Sequence, residues 1–256
     1  TGLIGISLGL IGGGGSIITI PVLVYLFHIE PTLATLYSLF IVGTTSLVGG
    51  IRSAINKTVD FRSAVLFAVP STMAVYFTRH FLLPHIPDTL FTVASFSMTK
   101  NIAIMIFFSI VMLFASLRMI RDKQSIYAES VTHRTNYLFI LLLGFFIGIV
   151  TGIVGAGGGF LIIPALVLLT GLTMKQAVGT SLLIIAINSL TGFMGDLSLL
   201  KEINFPFILS ISILSIAGVF LGTYLSRFIE GRRLKSGFGW FALTMAVYIL
   251  IKEIVV

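Results

Sequence analysis

Gly12, Gly13, Gly14 and Gly15 precede Ser16, and Gly155, Gly157, Gly158 and Gly159 surround Ala156. Glycine has no Cβ, so such a run lets backbone N–H groups approach a ligand closely. Where it breaks a helix, the new helix start leaves its first N–H groups unpaired. The positive end of the helix dipole, about half a charge, then points at the break. Donors of this kind suit a small anion. Hydroxyls and amides on the following segment extend the set. They are Ser38, Thr45 and Ser46 after the first run, and Thr180, Ser181, Asn188 and Ser189 after the second. All can donate to oxyanion oxygens.

The two runs are one motif read twice. A shift of 143 residues lays residues 5–53 on 148–196 without a gap, and 18 of the 49 positions are identical. Pro21 falls on Pro164, Ser38 on Ser181, Thr45 on Asn188 and Ser46 on Ser189. In a membrane protein, glycine- and proline-interrupted apolar segments at matching places in two halves point to a transport site. Gly5-x-x-x-Gly9 and Gly148-x-x-x-Gly152 have the spacing of helix packing instead.

The chain is 57% hydrophobic and 10% charged over 256 residues. A soluble domain carries about a quarter charged residues. Cysteine is absent, which excludes thiol chemistry. The net charge of +7 comes from Lys and Arg in short loops between apolar runs. That placement signals membrane topology rather than nucleic-acid binding. Eight apolar segments are expected, near 2–27, 31–51, 61–83, 101–119, 137–170, 174–195, 203–225 and 236–256. The first of each half is anomalous, since 137–170 is too long for one crossing and too short for two. A long helix, a glycine break and a short half-helix over 160–170 account for it, because clustered glycines each cost about 1 kcal/mol in a helix.

Charge counting tests whether that element crosses. If it crosses, Lys and Arg divide nine to seven between the two sides. If it turns back at the glycines, they divide twelve to four, which is a positive-inside bias. The expected fold is therefore an all-α polytopic membrane protein of two homologous, inverted repeats. Each repeat has a re-entrant first element and three transmembrane helices. The repeats occupy 1–120 and 137–256, joined by a cytoplasmic linker at 121–136.

Arg52, Arg79, His80 and Lys100 stand at segment ends, where long cationic side chains snorkel. Arg52 and Arg79 are the first candidates for an anion-attracting mouth or a gate. Glu30, Asp60, Asp88 and Asp196 fall at expected interfaces, so no membrane-buried carboxylate for proton coupling is evident. The four histidines are scattered without ligand spacing, so no metal site is expected. The second glycine run lacks the acidic residue of a dinucleotide site and the Lys-Ser/Thr ending of a P-loop. No catalytic set and no cofactor is expected.

The runs GGGGSIITIPVL and GAGGGFLIIPAL, with Ala177-Val178-Gly179-Thr180-Ser181-Leu182 and Ile203-Asn204-Phe205, resemble the TauE/SafE family over essentially the whole chain. The resemblance implies an inner-membrane transporter of small sulfur-containing anions: sulfite, thiosulfate or organosulfonates. Leu36-Tyr37-Ser38 departs from the Gly-Thr-Ser form in the first half, which implies an asymmetric pocket. A passive anion channel and a non-transporting scaffold are the alternatives. Transport direction and energy source are not legible, nor is assembly, with a homodimer open.

Overall fold

Residues 5–6, 15–93, 96–121, 137–196, 203–225 and 231–255 are described by a computed structural model. The elements are α1 (Gly15–Pro21), a π-helical turn (Val22–Leu26), α2 (Pro31–Ile55) and α3 (Phe61–Phe77). α3 continues through a second π-helical turn (Thr78–Leu82) into α4 (Leu83–His85). A two-stranded antiparallel hairpin follows, β1 (Thr89–Val93) with β2 (Phe96–Thr99). Then come α5 (Lys100–Arg121), α6 (Tyr137–Val154), α7 (Gly159–Thr170), α8 (Met174–Gly195), α9 (Phe205–Leu225) and α10 (Gly231–Val255). The hairpin departs from the all-α expectation. The expected linker lies, from residue 122 on, outside the described residues, as do Gly12, Gly13 and Gly14.

Local chemistry sets the boundaries. α2 opens on Pro31, whose missing N–H is no loss in a first turn. Asp60 caps α3 by accepting from the Ser63 N–H at 3.1 Å. Thr173 and Gln176 form a reciprocal capping box at the start of α8. Among the described residues, five helices are long and apolar enough to cross a membrane: Pro31–Ile55, Phe61–His85, Lys100–Leu117, Lys175–Gly195 and Phe205–Leu225. Leu138–Val154 is a shorter apolar helix. Phe61, Val65, Val69, Met73 and Phe77 recur every four residues on α3 and are all exposed. A bare apolar stripe of this length belongs against lipid.

Small residues fix how the helices run. On α6, Gly144 lies on Phe67 and Pro70, Gly148 on Ser71 and Ala74, and Gly152 on Thr78. α6 is therefore parallel to α3, through the small-residue spacing read from the sequence. α8 is also parallel to α3. Thr180 meets Asp60, Asn188 meets Ser71, and Gly195 meets Arg79. α7 joins two parallel helices through the short links 155–158 and 171–173, so it runs opposite to both. The chain reverses at the glycine run. α2 and α8 are antiparallel, with Gly43 on Leu190 and Gly49 on Leu182. α2 and α9 are parallel, with Tyr37 meeting Asn204 and Gly49 meeting Val219.

Two apolar clusters hold the break from either side. Val150, Val154 and Ala156 pack with α1, α5 and α10 through Ile17, Ile20, Phe108, Met112, Ala242 and Ala246. Ile140, Ile147, Ile163 and Leu166 pack with α3 and α8 through Phe67 and Ile184.

Candidate functional site at the glycine break

The break spans 155–158, between α6 and α7. Gly155, Gly157 and Gly158 have φ of +71°, +67° and +69°. A residue with Cβ is strained in that left-handed region, so this reversal requires glycine. Gly158 is the N-cap of α7 and brings no side-chain acceptor. The first N–H groups of α7 are thus presented to the break, with the dipole behind them. α7 has 12 residues, about 18 Å at the usual rise, a little over half the thickness of a hydrocarbon core.

Four helices converge on these glycines. A Cβ on Gly155 would stand 2.5 Å from Thr35 Cβ and 2.7 Å from Arg79 Nη2. One on Gly157 would stand 2.9 Å from Ser189 Oγ, Ile185 Cγ2 and Val42 Cγ1. One on Gly158 would collide with Thr151 Oγ1. Thr35 and Val42 share one face of α2, and Ser38 lies between them at helical spacing. Ser46 follows one turn beyond Val42.

Arg79 is fully buried, on the π-helical turn after α3. Its Nη1 donates to Asp196 Oδ2 at 2.7 Å. Its Nε and Nη2 have no partner. The guanidinium therefore holds Asp196 with one nitrogen and turns its other edge, a two-donor fork, to the break. Ser38 Oγ, Thr151 Oγ1 and Ser189 Oγ are also buried without partners. Leaving a buried donor unmade costs about 1–3 kcal/mol. A cluster of them around a reversed backbone is chemically suited to an acceptor.

The residues nominated from sequence divide cleanly. Arg79, Ser189, Gly155, Gly157 and Gly158 meet at the break, Ser38 lies between Thr35 and Val42 on the face of α2 that reaches it, and Gly159 opens α7. Ser46 Oγ and Asn188 Nδ2 are buried and unpartnered nearby on α2 and α8. Asn188 Oδ1 accepts from Ser71 Oγ at 3.0 Å and Thr72 Oγ1 at 2.6 Å, which fixes its amide. Thr45 Oγ1 donates to the Ile41 carbonyl at 2.5 Å, and Ser181 Oγ to the Val178 carbonyl at 2.9 Å. Those protons are used within their own helices. Thr180 Oγ1 accepts from the Asp60 N–H at 2.9 Å and ties α8 to the start of α3. Arg52 is away from the break, its Cζ 5.2 Å from the Phe220 ring centre. Gly15 and Ser16 begin α1.

Two expectations need correction. Arg79 does not snorkel to an interface. It packs inward because Asp196 gives it a buried counter-ion. Asp196 is 5% exposed, so a protein-buried carboxylate does exist, contrary to the sequence expectation. Sequence reasoning also passed over Thr151, whose position four residues before the glycine run was the available signal.

Comparison with known proteins places the chain among membrane transporters. A probable membrane transporter protein of Xylella fastidiosa is 28% identical over 258 residues, covering 97% of this chain and 92% of its own length. The probable membrane transporter protein YunE of Bacillus subtilis is 31% identical over 211 residues, covering 75% and 74%. A probable membrane transporter protein of Methanocaldococcus jannaschii is 35% identical over 115 residues, 43% of each chain. No solved structure matches. The family described as sulfite exporter TauE/SafE matches residues 1–249, and the chain, a multi-pass membrane transporter, belongs to it.

Proposed function

We propose that the protein carries a small sulfur-containing anion across the inner membrane by alternating access, binding it at the break before α7. The observation that carries this is the unpaired Nε and Nη2 edge of buried Arg79 turned toward Gly155. A guanidinium fork matches two oxygens of a sulfite, thiosulfate or sulfonate group, and such charge-assisted bonds are about twice as strong as neutral ones. Ser38, Ser189 and Thr151 supply neutral donors around it, and the α7 N-terminus adds its dipole. The family description supports sulfite and its chemical relatives as cargo.

The architecture proposed for this carrier is two inverted repeats over 1–120 and 137–256. Three contacts support it. The repeat-equivalent helices α2 and α8 run antiparallel. α3 is parallel to α8, while α9 is parallel to α2, so α3 and α9 also oppose each other. Gly148 of the second half lies on Ser71 of the first, while its equivalent Gly5 lies on Ser215. With α7 re-entrant and α10 taken as a crossing beside the five apolar helices, each half would have three full crossings, and the positive-inside count favours a cytoplasmic 121–136.

Purified protein should be stabilised saturably by sulfite, thiosulfate or a sulfonate in a thermal-shift titration. Gly157→Leu, which would fill the space before Ser189, Ile185 and Val42, should abolish the effect. No stabilisation by any of these anions at millimolar concentration would overturn the proposal.

A further inference from the structure

We propose that the anion occupies this site together with one proton, held by Asp196. The inference rests on the anion site proposed above and concerns its charge balance. Empty, the site holds one guanidinium and one carboxylate, Arg79 and Asp196, joined at 2.7 Å and shielded from solvent. The pair is neutral. A monoanion added to the free edge of Arg79 leaves one uncompensated negative charge, and a dianion leaves two. Buried charge without a partner is strongly disfavoured. The α7 dipole offsets about half a unit. A proton taken up by the Asp196 carboxylate removes one unit: the carboxyl becomes neutral, and Arg79 exchanges its internal counter-ion for the anion. The proton comes from the aqueous side and leaves with the anion, so a monoanion crosses as a neutral sum and a dianion with one negative charge in place of two.

The surroundings leave few other carriers for that proton. From the α3 continuation, Arg79, His80 and Tyr76 face the end of α8. His80 Nδ1 is 3.2 Å from the Gly195 carbonyl and its ring stacks on Tyr76. From α2, Thr35 faces the break and does not titrate near neutral pH. Further out, Lys100 Nζ donates to the Leu83 carbonyl, and Glu30 Oε1 accepts from Asn101 Nδ2. Among the described residues facing the pair, only His80 competes with Asp196, and it is exposed. The repeat offers no second pair. A shift of 143 carries Asp196 to Ser53 and Arg79 to Gly222.

The test uses methanesulfonate and thiosulfate, which stay ionised from roughly pH 5.5 to 8, so any linked proton belongs to the protein. Adding either anion to weakly buffered, detergent-solubilised protein should draw about one proton per anion bound. Affinity should rise toward tenfold per unit fall in pH, the limit for one linked proton. Asp196→Asn should bind with no proton uptake and a flat pH profile, while His80→Gln should behave as wild type. If Asp196→Asn does not fold, proton counts on wild type and His80→Gln decide. Saturable binding without proton uptake would overturn the inference and leave the anion site standing. Uptake abolished by His80→Gln would also overturn it. Absence of binding at every pH would overturn the underlying site.

Discussion

Arg52 and Arg79 look alike in sequence, since each is a cation near the end of an apolar segment. Their surroundings differ completely. Arg52 ends α2 and lies over the Phe220 ring, half-buried, where its charge also meets the negative end of the α2 dipole. Arg79 is fully buried, with a carboxylate on one side and a glycine-lined backbone reversal on the other. The first arrangement is satisfied within the protein. The second is half-satisfied, with two N–H donors left over. A buried cation whose donors are only partly used is the better sign of a ligand than a cation at a mouth.

The largest effect should come from breaking the inner pair. Arg79→Ala leaves Asp196 buried without its partner, which costs about 3–5 kcal/mol. Loss of both folding yield and anion binding is expected, read by thermal melting and by anion titration. Arg79→Met with Asp196→Leu removes both charges and should recover the melting temperature, because apolar replacement of a buried pair is often neutral or stabilising. It should not recover anion binding. Recovery of binding would show that Arg79 is a structural cation like Arg52, and the contrast would collapse.

The next effect concerns the backbone. Gly155→Ala puts a Cβ within 2.7 Å of Arg79 Nη2 at a φ of +71°. The conformational strain alone is about 1–2 kcal/mol. Transport in proteoliposomes should fall by more than tenfold. Gly171→Ala is the control for strain without a site, because Gly171 also has positive φ but open space around it. It should lose similar stability and keep transport.

Much of this region was legible from the chain because it depends on local rules. The glycine run had to break a helix, and the short arm ended at Thr170 as expected. The spacing of Gly148 and Gly152 announced a packing face, which the structure extends to Gly144. The Arg79–Asp196 pair was not legible, since the two residues are 117 positions apart and meet only when α3 and α8 lie parallel. Each looked like an ordinary interfacial charge on its own segment. Nor could the sequence separate Ser189 from Ser181. Both sit at repeat-equivalent places, but Ser181 turns its proton to the Val178 carbonyl and Ser189 does not. The β1–β2 hairpin was missed because its short strands, although Phe96-Ser97-Met98-Thr99 alternates, lie between two long apolar helices.

That difference between two serines gives a finer cut. Ser189→Ala removes a donor that faces Gly157 and has no partner in the empty site. Anion affinity should fall by about tenfold, matching roughly 1.4 kcal/mol for a hydrogen bond to a charged acceptor. Stability without anion should stay level or rise, because an unsatisfied buried hydroxyl is removed. Ser181→Ala should leave affinity unchanged. Equal losses in the two variants would mean that the serines act through helix packing rather than on the ligand.

The smallest effect belongs to the outer arginine. Arg52→Ala loses a ring contact worth about 0.5–1 kcal/mol and a favourable dipole position. Its melting temperature should drop only slightly, and saturating anion binding should not change. A residual role as an attracting charge would appear elsewhere, as a slower association rate at low salt that vanishes once ionic strength screens it. Stopped-flow binding at two salt concentrations separates these outcomes. A salt-independent loss of affinity in Arg52→Ala would place this cation in the site after all and erase its contrast with Arg79.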